Sequence, residues 1–121
     1  MPRVIHFELP ADNPDRAAEF YRQVFGWNFT KWQGPQDYWL ITTGTGTPGI
    51  DGGMLRRSHP GAGTVNTIDV ASLDEATGRI QTAGGKVVAP KMAIPGVGFL
   101  AYCQDTEGTT FGILEADTSA R

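Results

Sequence analysis

The sequence contains two copies of the same order of predicted secondary-structure elements, and this repeat limits the folds that the chain can adopt. Each half begins with an alternating strand, continues through a capped amphipathic helix and ends in three further strands. A shift of 59 positions aligns the halves without a gap, pairing Leu9 with Ile68 and Gly26 with Gly85. Self-similarity at a fixed period indicates copies of one structural unit. We predict an α+β fold of two tandem βαβββ modules whose curved mixed sheets form a cleft, a single domain over residues 1–121.

The module limits follow from helix signals and from a predicted connecting stretch. Asn13 and Pro14 suit the start of the first helix, and Ser72 with Glu75 forms a capping box for the second. The modules are placed at residues 1–58 and 63–117, joined by a short linker at 59–62. Residues His59 and Pro60 lie in this linker, where an exposed histidine without function is expected.

Composition restricts the classes of function. Hydrophobic residues make up 40% of the chain and charged residues 19%, which is typical of a globular protein. The net charge of −3 and the dispersed basic residues argue against a nucleic-acid partner. There is no signal peptide or membrane-spanning run, and the single Cys103 permits no internal disulfide. We expect a cytoplasmic protein in which Cys103 is a structural thiol of unassigned role.

The first strand places two polar side chains on one face. Because side chains alternate along a strand, His6 and Glu8 lie opposite the apolar Ile5, Phe7 and Leu9. In a βαβββ unit the helix covers one face of the sheet and leaves the other open. Pairing two open faces would build a cleft, with His6 and Glu8 lining it. A salt-bridged or solvated rim is the alternative for Glu8.

At this point the sequence resembles the vicinal oxygen chelate superfamily, which includes glyoxalase I, bleomycin-resistance proteins and extradiol dioxygenases. The resemblance rests on "IHFELPADNPDRAAEFYRQVFGW", "VNTIDVASLDEATGRIQTAGGKV" and "DTEGTTFGILEAD". "DYWLITTG" and "IPGVGFLAYCQDTEG" are similar to a bacterial subgroup of mostly uncharacterised glyoxalase-like proteins. The resemblance implies paired βαβββ modules and a homodimer, with module pairing within or between chains left open.

Metal-binding members of the superfamily carry ligands on the first and last strands of each module. Carried over by position, these ligands fall on His6, Gly53, Val65 and Gly112. Glycine and valine have no donor atom, so His6 is the only surviving ligand position. We therefore expect no bound metal and no other cofactor. The alternative is a divalent metal held by a rearranged set of ligands, His6, Glu8 and Asp69.

Aromatic side chains are expected to line the cleft, since small-molecule sites are rich in them. Alternation allows only one of Tyr38 and Trp39 on the cleft face, and it separates Phe99 from Leu100 and Tyr102. Core or dimer packing is the alternative for each ring. The predicted ligand-binding residues are His6, Glu8, Trp39, Gly53, Thr67, Asp69, Phe99 and Gly112, with His6 and Glu8 as catalytic candidates.

Three functions remain open on the sequence. The first is a metal-free, glyoxalase-like protein that binds or sequesters a small organic molecule in an aromatic-lined cleft. The second is a metal-dependent lyase, isomerase or dioxygenase that uses His6 with nonstandard ligands. The third is a dimeric interaction module with a vestigial cleft. The sequence does not identify a ligand, and it leaves open whether the protein is an enzyme.

Overall fold

The computed structural model describes residues 1–121, and contacts between residues divide the chain into two compact units. The first half comprises His6–Thr64, and the second comprises Met1–Ile5 with Val65–Arg121. Strand β1 crosses the boundary between them. The elements in chain order are β1 (Val4–Ala11), α1 (Pro14–Phe25), β2 (Asn28–Lys31), β3 (Tyr38–Thr42), β4 (Gly52–Arg56), β5 (Val65–Asp69), α2 (Leu73–Thr82), β6 (Lys86–Ile94), β7 (Gly98–Gln104) and β8 (Thr110–Ala116).

In the first half the strands run in the order β2, β3, β4, β1. Strands β1 and β4 are parallel, and the other neighbours are antiparallel. Helix α1 and strands β2 and β3 together form the long connection that the two parallel strands need. Asn13 caps the helix by accepting a hydrogen bond from the Arg16 backbone N–H at 3.1 Å. Gly26 ends it in the left-handed conformation, with φ at 75°.

The core of the first half lies between α1 and one face of this sheet. Its buried side chains are Ala11, Ala18, Ile41 and Met54, with Phe7, Leu9, Ala17, Trp27, Phe29 and Trp39 packed against them. Small Ala17 and Ala18 let the helix approach the strands closely. The opposite face of the sheet carries His6 and Glu8.

The second half repeats this arrangement with the strand order β5, β8, β7, β6. Its buried core is Leu73, Ala101, Cys103 and Ile113, again between the helix and one sheet face. Ser72 accepts a hydrogen bond from the Glu75 N–H at 3.2 Å, as a capping box requires. Glu115 adds a second cap, because its carboxylate accepts from the Leu73 N–H at 2.8 Å.

The pairing register shows where the repeat holds and where it slips. Glu8 pairs with Gly53 and Thr67 pairs with Gly112, as the shift of 59 predicts. Tyr38 pairs with Leu55 while Leu100 pairs with Leu114, so these two strands correspond with a shift of 62. The gapless alignment is therefore wrong for β3 and β7, because β6 has 9 residues and two register shifts against β7, whereas the corresponding strand β2 has only 4 residues.

The fold contains two βαβββ modules with mixed sheets. No helix of the chain has the length and apolar character needed to cross a membrane.

We expect Met54→Ala to lower the free energy of unfolding by about 2–5 kcal/mol, because truncating a fully buried side chain leaves a cavity. Met54 is 0% exposed between α1 and the sheet, whereas Val88 is 48% exposed. Val88→Ala is therefore the control, and urea unfolding measures both. Equal losses for the two variants would contradict the assignment of this core.

Candidate functional site

The register of the first half defines the residues that share a face with His6. Directly paired residues of adjacent strands point to the same side of a sheet. Glu8 pairs with Gly53, and Gly53 pairs with Leu40. Tyr38 lies two residues before Leu40 and therefore points to the same side. The face opposite α1 thus brings together His6, Glu8, Tyr38, Leu40 and Gly53, which we call the His6 face.

A tyrosine hydroxyl joins the two polar residues of β1. The Tyr38 hydroxyl donates to Glu8 Oε2 at 3.0 Å. His6 Nε2 lies 2.9 Å from the same hydroxyl oxygen. Glu8 is only 7% exposed, so its carboxylate is held in place beneath the hydroxyl. The three side chains form one hydrogen-bonded chain with the phenol at its centre.

Gly53 makes room for this phenol. A Cβ built on Gly53 would overlap the hydroxyl oxygen and ring carbons of Tyr38. Any larger residue at position 53 would therefore have to displace the ring. The absence of a side chain at this strand position is explained by the tyrosine that lies over it.

Burial lowers the pKa of His6 below its ordinary value. Removal from water disfavours the imidazolium form, and this effect outweighs the opposing attraction of two carboxylates, Glu8 and Asp51. Asp51 is itself held by Thr43, whose backbone N–H donates to it at 2.9 Å. His6 is therefore a neutral imidazole at physiological pH.

The corresponding face of the second half carries less polar chemistry. Thr67 is 3% exposed, and its hydroxyl oxygen lies 3.1 Å from where a Cβ of Gly112 would be. The Asp69 carboxylate accepts a hydrogen bond from the Arg3 backbone N–H at 2.7 Å. This contact gives Asp69 a structural partner at the end of β5. Thr67, Asp69 and Gly112 stay predicted ligand-binding residues.

The structure corrects the face assigned to two aromatic residues. Trp39 pairs with Met54 and packs in the core against α1, away from His6 and Glu8. Lys31 and Arg56 lie over its ring. Phe99 packs in the second core together with Leu73. In β3 the aromatic residue on the face opposite the helix is Tyr38, and in β7 it is Tyr102. Alternation correctly places neighbouring residues, such as Tyr38 and Trp39, on opposite faces of the sheet. It does not indicate which of the two faces the helix.

The family metal positions do not suit a metal ion. The four residues are His6, Gly53, Val65 and Gly112, and only His6 has a donor atom. The Nε2 of His6 is hydrogen-bonded to Tyr38, and the ring of Tyr38 occupies the space above Gly53. No group of three histidine, cysteine, aspartate or glutamate side chains is arranged to hold a metal ion. Three or four such donors are usual for divalent metals.

Two other features lie away from the His6 face. Cys103 is fully buried in the second core, and burial raises the pKa of its thiol. A groove of about 580 Å³ lies beside the start of α1 and is lined by Asn13, Arg16, Phe20 and Arg57, among others. Arg57 is already engaged there with Asp12 at 3.0 Å.

Tyr38 is the site residue that sequence reasoning missed. The signal was present in Gly53, because a glycine inside a strand often marks the close approach of another group. The approaching group could not be named without the register of β3 against β4. Trp32 also belongs to this neighbourhood, with its ring edge-on to Tyr38 at 6.2 Å between centroids.

The paired βαβββ modules and the sequence relatives together define the class of protein. The chain belongs to the glyoxylase-like family of the vicinal oxygen chelate superfamily. It is 30% identical over 112 residues to a glyoxylase-like domain-containing protein of Didymella fabae, covering 88% of each chain. Residues 3–44 match the family model described as bleomycin resistance protein-like N-terminal.

The chain is also similar to two further proteins, one in sequence and one in structure. It is 30% identical over 112 residues to the Mycobacterium bovis protein named "Putative glyoxylase CFP32", and the match covers 89% of this chain. The chain spans only 42% of that relative's length. The methylmalonyl-CoA epimerase of Mycobacterium tuberculosis has a similar structure, with a TM-score of 0.72, 13% identity, and coverage of 94% of this chain and 87% of that one. At this identity the likeness concerns the fold alone.

We expect Gly53→Ala to lower the free energy of unfolding by about 1–3 kcal/mol, because the new methyl group would force the Tyr38 ring aside. Gly44→Ala is the matched control, since a Cβ at Gly44 has no neighbour within 4 Å. A double-mutant cycle with Tyr38→Ala measures the coupling between the two positions. Gly53→Ala should be less harmful when Tyr38 is absent, and equal losses in both backgrounds would contradict this packing.

We expect stability to fall as pH drops from about 6.5, the unfolded-state value for histidine, towards the lower pKa of folded His6. In this window the unfolded chain binds more protons than the folded chain, so acid favours unfolding. His6→Gln should flatten this part of the pH profile of the free energy of unfolding. His59→Gln, which removes the other histidine of the chain, is the control. An unaltered slope in His6→Gln would refute the assignment to His6.

Proposed function

We propose that the protein binds a small organic molecule on the His6 face without a bound metal. The observation that supports this proposal most directly is the position of the Tyr38 hydroxyl. It occupies the space above one family ligand position, Gly53, and bonds the donor atom of another, His6. A metal at Nε2 of His6 would have to displace this phenol, and a metal at either ring nitrogen would lack further donors at the family positions.

The chemistry of the His6 face favours ligand binding. It combines an imidazole, a phenol and a carboxylate with the apolar side chain of Leu40, which is 43% exposed. Small-molecule sites typically join apolar surface to a few fixed polar groups. The polar groups here are positioned by each other, since the Tyr38 hydroxyl bonds both His6 and Glu8. Such preorganisation lowers the entropic cost of binding.

The relatives suggest which compounds to try first. The matching family model carries the name of bleomycin resistance proteins, and the two sequence relatives are named as glyoxylases or glyoxylase-like. Bleomycin and catechol, an aromatic diol of the kind that extradiol dioxygenases cleave, are therefore suitable first probes. The metal-dependent lyase, isomerase or dioxygenase is the competing function.

Calorimetry with added Ni, Zn, Mn and Fe(II), on protein purified without a histidine tag, tests the competing function. We expect no stoichiometric metal binding in the wild-type protein and no difference in His6→Ala. Near-stoichiometric metal that is lost in His6→Ala would overturn the metal-free proposal and direct the work to glyoxalase and dioxygenase assays.

Ligand binding is measured separately by tryptophan fluorescence during titration with bleomycin and catechol. Trp32 is the expected reporter because its ring contacts Tyr38. We expect a saturable signal that Trp32→Phe removes, while calorimetry of that variant still detects binding. A Trp39→Phe variant is the matched control, since Trp39 lies on the helix side of the sheet. A signal carried by Trp39 alone would place the ligand elsewhere.

A further inference from the structure

We propose that the chain of hydrogen bonds from Glu8 through Tyr38 fixes the His6 ring as its Nε2–H tautomer, so that Nδ1 accepts a hydrogen bond from an uncharged aromatic hydroxyl ligand. This inference rests on the proposed function and names the class of ligand for the same face. It assigns Tyr38 as a positioning residue and His6 as the residue that contacts the ligand.

The direction of the hydrogen bonds follows from the inventory of donors. A carboxylate only accepts hydrogen bonds, so the single proton of the Tyr38 hydroxyl is committed to Glu8 Oε2 at 3.0 Å. The phenol oxygen can then only accept from His6 Nε2, which lies 2.9 Å away. Nε2 therefore carries the proton of a neutral imidazole. In this tautomer Nδ1 holds the free lone pair.

The charges around His6 select against anions. The two ionisable groups whose charges act on the imidazole are Glu8 and Asp51, and both are acidic. A carboxylate or phosphate group brought to Nδ1 would meet a lone pair and like charges, with no donor for its oxygens. An O–H group meets an acceptor and brings no charge. Because of these two acidic residues, we expect a ligand with a hydroxyl group to bind more tightly than a ligand that carries a carboxylate on the same ring.

An apolar side chain on the His6 face suits the ring of such a ligand. Leu40 is 43% exposed and pairs with Gly53, which in turn pairs with Glu8. Trp32 packs edge-on against Tyr38 and extends the aromatic surface. A compound with one hydroxyl on a flat apolar ring can then contact Nδ1 and this apolar surface together.

The tautomer is measured first, without any ligand, by long-range proton–nitrogen NMR of the imidazole. The chain has two histidines, so His59→Gln leaves one imidazole and makes the assignment unambiguous. We expect a pyridine-type Nδ1 and a pyrrole-type Nε2 at neutral pH. Adding Tyr38→Phe should give a mixture of tautomers, since the acceptor for Nε2–H is gone. The opposite tautomer in the parent, or no change in Tyr38→Phe, would overturn the inference.

Three matched probes then test the ligand class in the His59→Gln protein: 2-naphthol, 2-naphthoate and 2-methoxynaphthalene. We expect 2-naphthol to shift the Nδ1 resonance and to bind at least about tenfold more tightly than either analogue, which corresponds to about 1.4 kcal/mol. Equal affinity for 2-naphthoate would overturn the selection against anions. Equal affinity for the ether would overturn the hydrogen bond to Nδ1.

The failure of this inference is distinct from the failure of the proposed function. If 2-naphthol binds without shifting Nδ1, the ligand assignment is wrong, while small-molecule binding stands. If neither the three probes nor catechol binds, the ligand class is wrong even where the tautomer is as expected. The bleomycin titration then decides the proposed function independently.

Discussion

The close approach of Tyr38 to Gly53 determines much of the chemistry of the first half. A phenol can lie at this position only because residue 53 has no side chain. Once there, its hydroxyl lies between the carboxylate of Glu8 and the imidazole of His6. A buried carboxylate needs hydrogen-bond partners, and the hydroxyl that bonds Glu8 also bonds the half-buried imidazole of His6. The hydrogen bonds of His6 and Glu8 therefore depend on the glycine at position 53, because this glycine makes room for the Tyr38 ring.

The same arrangement explains how the fold of a metal-binding superfamily can be kept without its ligands. The βαβββ module depends on the helix-side core, in which Met54 and Ile41 are buried, and on the parallel pairing of β1 with β4. Neither depends on donors on the opposite face. Residues of that face can therefore change chemistry while the module remains intact. Function has to be argued from those residues and not from the fold.

The sequence predicts the fold well because its signals are local and repeated. Caps at Asn13 and Ser72, and the period of apolar residues in both helices, depend only on near neighbours, and the structure contains both caps. The site is predicted less completely. Alternation gives the two sets of residues on a strand, but whether Tyr38 or Trp39 faces the helix depends on tertiary packing. The shift of 59 fails for β3 and β7 because β6 is longer than β2 and contains two register shifts against β7, which a comparison of apolar positions does not reveal.

Glu8 shows how burial changes the meaning of a polar pair read from sequence. The alternating strand places Glu8 on the same face as His6, where it could lie either at a solvated rim or inside a binding site. The structure makes it 7% exposed and bonded to Tyr38. A carboxylate removed from water is costly unless its oxygens are bonded. The hydroxyl that meets this need also bonds Nε2 of His6. With the tautomer proposed above, this hydrogen bond leaves Nδ1 as the imidazole nitrogen available to a ligand. In this way a requirement of folding sets the hydrogen-bonding character of the surface.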